Sequence, residues 1–320
     1  MGRKGQRKSA ARPKGWRSVS ARRLCRGAGG GFGRRREHPS RVGGGRCHGA
    51  ARYAEALGSR FGAEITILHV LPPPHYEFSA LDVGGSVLDE LYAARSVQVR
   101  QDLDAVLASE LATLRVERVL IEGDPGREIV AYAHAQQMDL ILMPTHGYGQ
   151  FRRFILGSVA AKVLHDADCP VWTGVHLEEA PPIDKIAFRN VLVAVDLTAQ
   201  SEPALQWAAW FASSCDARLW LIHATPSLEG RTGEYFDPDW RTSLAEQARG
   251  EIAKLAEEAG AKPEVLIEDG DAPRVVCTAA ERLGADVLVV GRGSAAGMFG
   301  RLRTNAYSII RQSPCPVVSV

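Results

Sequence analysis

Laid against itself, the 320-residue chain repeats five landmarks in the same order. Ala63-Glu64-Ile65-Thr66-Ile67-Leu68-His69-Val70 returns as Ala217-Arg218-Leu219-Trp220-Leu221-Ile222-His223-Ala224, and helical segments, Ala51–Leu57 and Ala204–Trp210, precede the two runs. Val119–Pro125 returns as Val265–Asp271, each followed by a helical stretch, Arg127–Gln136 and Pro273–Leu283. Asp139-Leu140-Ile141-Leu142-Met143 returns as Asp286-Val287-Leu288-Val289-Val290, and Cys169-Pro170-Val171-Trp172 as Cys315-Pro316-Val317-Val318. Such self-similarity marks two homologous copies of one folding unit, so whatever one copy forms the other forms too.

Within a copy, short continuous apolar runs alternate with helical patterns of ten or more residues. In Ser86–Leu111 the apolar residues Val87, Leu91, Val97, Leu103 and Leu107 recur at helical spacing, and Trp240–Glu258 is the counterpart. Strands apolar throughout are buried on both faces, and their alternation with helices predicts a parallel sheet with right-handed crossovers. Each copy is thus expected to be a doubly wound α/β domain of about five strands.

The copies differ at their starts. The second opens on Asn190-Val191-Leu192-Val193-Ala194-Val195-Asp196, a strand ending in a carboxylate twenty-seven residues before His223. The same step back from His69 falls on Val42, in HPSRVGGGR, which has neither strand character nor acid. The first copy is therefore expected to lack its first strand. The domain reading is a leader over 1–49, a first domain over 50–175, a polar, Pro-containing linker over 176–187 and a second domain over 188–320.

The net charge of +2 conceals an asymmetry. The leader holds fifteen Lys or Arg against Glu37 alone, leaving the remaining chain at −12. Its Arg, Gly, Ala and Ser cannot bury enough apolar surface to offset chain entropy, so disorder is the expectation. A nucleic-acid-binding arm, an organelle transit peptide and a non-native segment read from the wrong frame of a GC-rich gene all fit such text. The acidic body excludes broad nucleic-acid binding outside the leader. No apolar run approaches the ~18 residues that would suggest a membrane span. The six cysteines form no C-x-x-C pair and no zinc spacing with His, which fits reduced thiols in a cytoplasmic protein.

Chemistry concentrates in Met143–Lys162, MPTHGYGQFRRFILGSVAAK. A strand runs into a turn at Thr145, His146 and Gly147, a basic-aromatic stretch follows, and Gly157-Ser158-Val159 open a helix. Strand, glycine loop and helix N-terminus in that order suit an anion, because small residues let N–H groups approach it and the helix end offers unpaired donors. Turn and cap chemistry alone would also favour these residues. Asp196, at a strand end, is either a ligand-site carboxylate or a cap for the next helix. There is no GxxxxGK[ST], G-x-S-x-G, H-E-x-x-H or EF-hand loop, and hence no catalytic constellation.

These residues resemble the universal stress protein family in a tandem two-domain form, over about residues 50–320. The family's nucleotide-binding members carry Gly, two residues, Gly, nine residues, then Gly and Ser or Thr. The first copy reads Pro144, Thr145-His146, Gly147, nine residues Tyr148 to Leu156, then Gly157-Ser158. Only the leading Gly is changed. The second reads Gly291, Arg292-Gly293, Ser294, nine residues, then Thr304-Asn305, losing the second Gly and the Gly-Ser. The resemblance implies two adenine nucleotide alpha hydrolase-like domains that bind ATP, with Mg²⁺ assisting, as a stress-response sensor or regulator rather than an enzyme. Phosphates would lie on Thr145–Gly147 and Gly157–Val159, Val70 would flank the base, and Asp196 would match the family's ribose-side carboxylate. The last strands, Pro170–Thr173 and Pro316–Val320, would pair in a pseudo-dimer imitating the family's homodimer. The alternative is an interaction module of the same fold without nucleotide; a weak ATPase is a third reading, although nothing in the sequence activates a water.

Overall fold

The computed structural model of the protein describes residues 18–22, 46–73, 85–145, 156–174, 181–226, 238–292 and 304–320. The first copy comprises β1 (Ser18–Arg22), α1 (Arg46–Phe61), β2 (Glu64–Leu71), α2 (Gly85–Ala105), β3 (Val116–Glu122), α3 (Pro125–Ala135), β4 (Leu140–Leu142), α4 (Ser158–Asp166) and β5 (Val171–Thr173). A 3₁₀ turn at Ile183–Lys185 precedes the second copy, which comprises β6 (Asn190–Val195), α5 (Ser201–Cys215), β7 (Arg218–Thr225), α6 (Pro238–Glu258), β8 (Glu264–Asp269), α7 (Ala272–Arg282), β9 (Val287–Val290), α8 (Thr304–Gln312) and β10 (Val317–Ser319).

All ten strands join one sheet, in the order β3-β2-β1-β4-β5-β10-β9-β6-β7-β8. Each half is a parallel five-stranded unit, and the halves meet where β5 and β10 pair antiparallel, Thr173 opposite Val317 and Val171 opposite Ser319. The last strands thus join the copies as expected. Because that central pair is antiparallel, the strands of the two copies point in opposite directions. Their carboxyl ends, where open α/β sheets bind ligands, lie at opposite edges.

The short apolar runs form strands covered by helices on both faces of the sheet, which buries every side chain of the run. Leu140–Leu142 and Val287–Val290 are buried at every position. One helical layer holds α1 and α5, and its core crosses the junction through a cluster of rings. Trp172, fully buried, meets Tyr53 at 5.9 Å, Phe188 at 5.8 Å and Phe211 at 5.8 Å between centroids. A ring system of that size removes roughly 150–250 Å² from water, about 4–6 kcal/mol of gross transfer energy. The opposite layer packs α3, α4, α7 and α8 through Ile129, Val163, Leu164, Ala279 and Ile310.

The expected first-strand deficit is corrected. β1 lies between β2 and β4, pairing Ser18–Arg22 with Glu64–Leu68 on one side and Val19–Ala21 with Leu140–Leu142 on the other. The second copy places β6 likewise between β7 and β9. Two reasons hid β1 from a reading of pattern. Ser-Val-Ser-Ala-Arg contains no apolar run, and its spacing is irregular. Arg22 faces Leu68, 46 residues on, whereas its counterpart Ala194 faces Ile222, 28 residues on. The physical need is clear: β2 and β4 are buried, and without a strand between them their facing N–H and C=O groups would lack partners. Within residues 1–49 the structure describes β1 and the start of α1 at Arg46.

Candidate functional site

In the first copy β4 delivers Met143, Pro144 and Thr145 to the carboxyl edge of the sheet. Met143 is fully buried and Thr145 is 1% exposed. His146, Gly147, Arg152 and Arg153 lie outside the described residues. Chain and loop rejoin at Gly157, whose N–H donates to the Thr145 carbonyl at 2.9 Å. Gly157 is the N-cap of α4 in extended conformation, φ −62° and ψ 144°, and supplies no side-chain cap. Ser158, Val159 and Ala160 then form the first turn, where N–H groups have no intrahelical acceptor. Ala160, Val163 and Leu164 are buried, so packing fixes the helix while its N-terminus faces the loop. The first-turn donors and the positive end of the dipole are the features that suit an anion.

Neighbouring elements complete the edge. Val70, expected beside a base, is 3% exposed and packs in the cluster containing Ile129, Met143 and Leu156. It supplies floor more than wall. Helix α3 is capped by Asp124, which accepts from the Arg127 N–H at 2.9 Å, with Pro125 at its first position. A Cβ on Gly126 would come within 2.8 Å of Lys162 Cδ, a measure of how closely α3 and α4 approach. Among the described residues no group of three His, Cys, Asp or Glu could hold a metal ion.

The second copy repeats the frame with different chemistry. Asp196 Oδ1 accepts from the Thr198 N–H at 3.1 Å, Thr198 Oγ1 at 2.7 Å and Ser201 Oγ at 3.1 Å, tying down the β6–α5 turn. Leu197 in that turn has φ 58°, a left-handed conformation unusual for leucine. His223 Nδ1 lies 2.9 Å from the Val195 carbonyl, so Nδ1 carries the proton and donates. Gly291 lies against the α5 start. Asp271 caps α7 as Asp124 caps α3, accepting from the Arg274 N–H at 3.3 Å.

The sequence-predicted residues therefore divide into two groups. Val70, Pro144, Thr145, Gly157, Ser158 and Val159 gather at the carboxyl edge of the first half-sheet. Asp196 and Gly291 belong to the opposite edge, at the ends of β6 and β9, with β5 and β10 lying between β4 and β9.

Two further residues link the copies. Arg292, 4% exposed, donates from Nη1 to Ala167 O at 2.9 Å and Leu164 O at 3.5 Å, and from Nη2 to Cys169 O at 2.8 Å. Tyr307 Oη accepts from the Leu156 N–H at 3.1 Å. Neither was singled out by motif. Arg292 carried a signal, however: it takes the repeat position of Thr145, where a buried strand end has no room for an unpartnered charge. Burial pushes the Cys169 thiol up to about 11, with Arg292 pulling the other way.

Comparison with known proteins agrees with this geometry. The model of the universal stress protein family matches residues 43–173 and again 187–320; β1 lies before the first match. A universal stress protein of Mycolicibacterium smegmatis is 26% identical over 279 residues, covering 85% of this chain and 91% of that protein. One from Methanocaldococcus jannaschii is 28% identical over 122 residues, covering 38% of this chain and 71% of that protein. The crystal structure of a universal stress protein from Archaeoglobus fulgidus has the same fold, with TM-score 0.58 and 24% identity over 86% of this chain and 91% of that one. Two matches that together span both halves leave one conclusion: the chain belongs to the universal stress protein family and carries its domain twice.

Proposed function

We propose that the protein binds an adenine nucleotide, ATP, at the carboxyl edge of its first half-sheet and acts as a stress-response sensor or regulator. One observation carries the reading: the Gly157-capped start of α4 is closed onto Thr145 by a 2.9 Å hydrogen bond, in the family's phosphate-loop spacing. Gly157 brings no side chain, so a phosphate can reach the N–H groups of Ser158 and Val159, while Thr145 stands at the other end of the loop. Val70 underlies the base. Binding rather than hydrolysis is the proposed activity. A Mg²⁺ would arrive with the phosphates. The absence of disulfides at Cys169, Cys215, Cys277 and Cys315 supports a reducing compartment, the cytoplasm.

A second reading, an interaction module without nucleotide, is favoured by Pro144, which has no N–H to offer where the family's pattern has Gly. Isothermal titration of the full chain with ATP and with AMP distinguishes them. Saturable heat with ATP supports the nucleotide reading; no heat at high micromolar ATP rejects it.

A further inference from the structure

We infer that the second copy is a positioning partner for the first copy's anion-binding helix, acting through Arg292 and Tyr307. The inference rests on the nucleotide reading above and names what sets the orientation of that site.

Helix α4 has nine residues, too few to be stable through its own propensity. The second copy holds it near both ends. At the far end, the Arg292 guanidinium meets the carbonyls of Leu164, Ala167 and Cys169. Carbonyls at a helix C-terminus lack intrahelical donors and carry the negative end of the dipole, so a buried cation there is compensated by both effects. At the near end, the Leu156 N–H, one residue before the N-cap, is held by Tyr307 Oη. Ile309 and Ile310, buried beside Tyr307 on α8, fix that helix against the sheet.

Arg292 itself is firmly based. Its N–H donates to Val320 O at 2.7 Å, attaching it to the chain just beyond β10. In the first copy the same repeat position is Thr145, the start of the phosphate loop. In the second it is engaged with the other copy. The residue that opens the loop in one copy thus supports the other copy's helix in the second.

The test uses the full chain as Arg292→Met, Arg292→Lys and Tyr307→Phe variants, with amide exchange followed without ligand and ATP affinity by titration. Faster exchange at Leu156–Ala160 is expected in Arg292→Met and Tyr307→Phe, with ATP affinity weakened about threefold to tenfold, the effect of one or two lost hydrogen bonds. Arg292→Lys keeps the charge but not the three-carbonyl geometry, and should fall between. A merely structural role would lower the melting temperature while leaving exchange at these amides and ATP affinity within about twofold of native; that result overturns the inference. If the native chain takes up no ATP, the nucleotide reading fails instead, and the exchange at Leu156–Ala160 alone decides whether the second copy positions the helix.

Discussion

Gly291 lies so close to Gln200 that a Cβ at residue 291 would stand 2.8 Å from the Gln200 carbonyl oxygen. The contact is with backbone at the start of α5, so no rotamer change can relieve it. Gly291→Ala should therefore destabilise the protein by about 1–3 kcal/mol, the range for overpacking a closed site. Urea denaturation checks this; an unchanged midpoint would show that the β6–α5 turn yields freely.

Asp124 and Asp271 cap α3 and α7 in equivalent places of the repeat. Replacing either with Ala should cost about 1 kcal/mol, typical of a lost N-cap. The larger effect is expected at Asp124, whose hydrogen bond is 2.9 Å against 3.3 Å at Asp271. Denaturation of the two single variants gives the comparison directly.

Trp172 joins the ring cluster shared by both copies, so Trp172→Ala should cost about 3–5 kcal/mol. Since Tyr53 comes from the first copy and Phe211 from the second, the loss should also loosen their coupling. Calorimetry should show one transition for the native chain and a broader or divided one for the variant.

Burial raises the thiols of Cys169, Cys215 and Cys277 from 9.0 to about 11 and that of Cys315 to about 12. A folded value above the unfolded one means the neutral thiol is favoured by folding. The associated stability is fully present below about pH 9 and is lost as pH rises from there through the folded values. Of these, the buried thiols of Cys215 and Cys315 should resist iodoacetamide at about pH 8 until denaturant is added, and stability should decline in the alkaline range. Rapid alkylation of the native protein at either would contradict their burial.

The fold was legible wherever burial writes itself as an apolar run. β2, β4, β7 and β9 declare themselves that way; the Cys-Pro landmarks marked β5 and β10 as repeat equivalents, and the family resemblance implied that these strands join the copies. β1 did not, because a central strand made of Ser18, Val19, Ser20, Ala21 and Arg22 carries no such run; its place is dictated by the backbone partners of β2 and β4. At the site, the spacing from Gly147 to Gly157 located the start of α4. Asp196 looked equally like ligand and cap from sequence, and its three hydrogen bonds are made within its own turn. Arg292 stood out by its repeat position, but its partners did not, because they are carbonyls, which leave no mark on residue identity.

The most direct measurement counts ATP bound per chain in the native protein, in Gly157→Val and in Asp196→Ala. At φ −62° Gly157 can become Val without backbone strain, so the new side chain should occupy the space of a phosphate while the fold persists. The account predicts saturable binding by the native chain, none by Gly157→Val at unchanged helical content, and binding retained by Asp196→Ala. No binding by the native chain, or binding that survives Gly157→Val and disappears with Asp196→Ala, would contradict it.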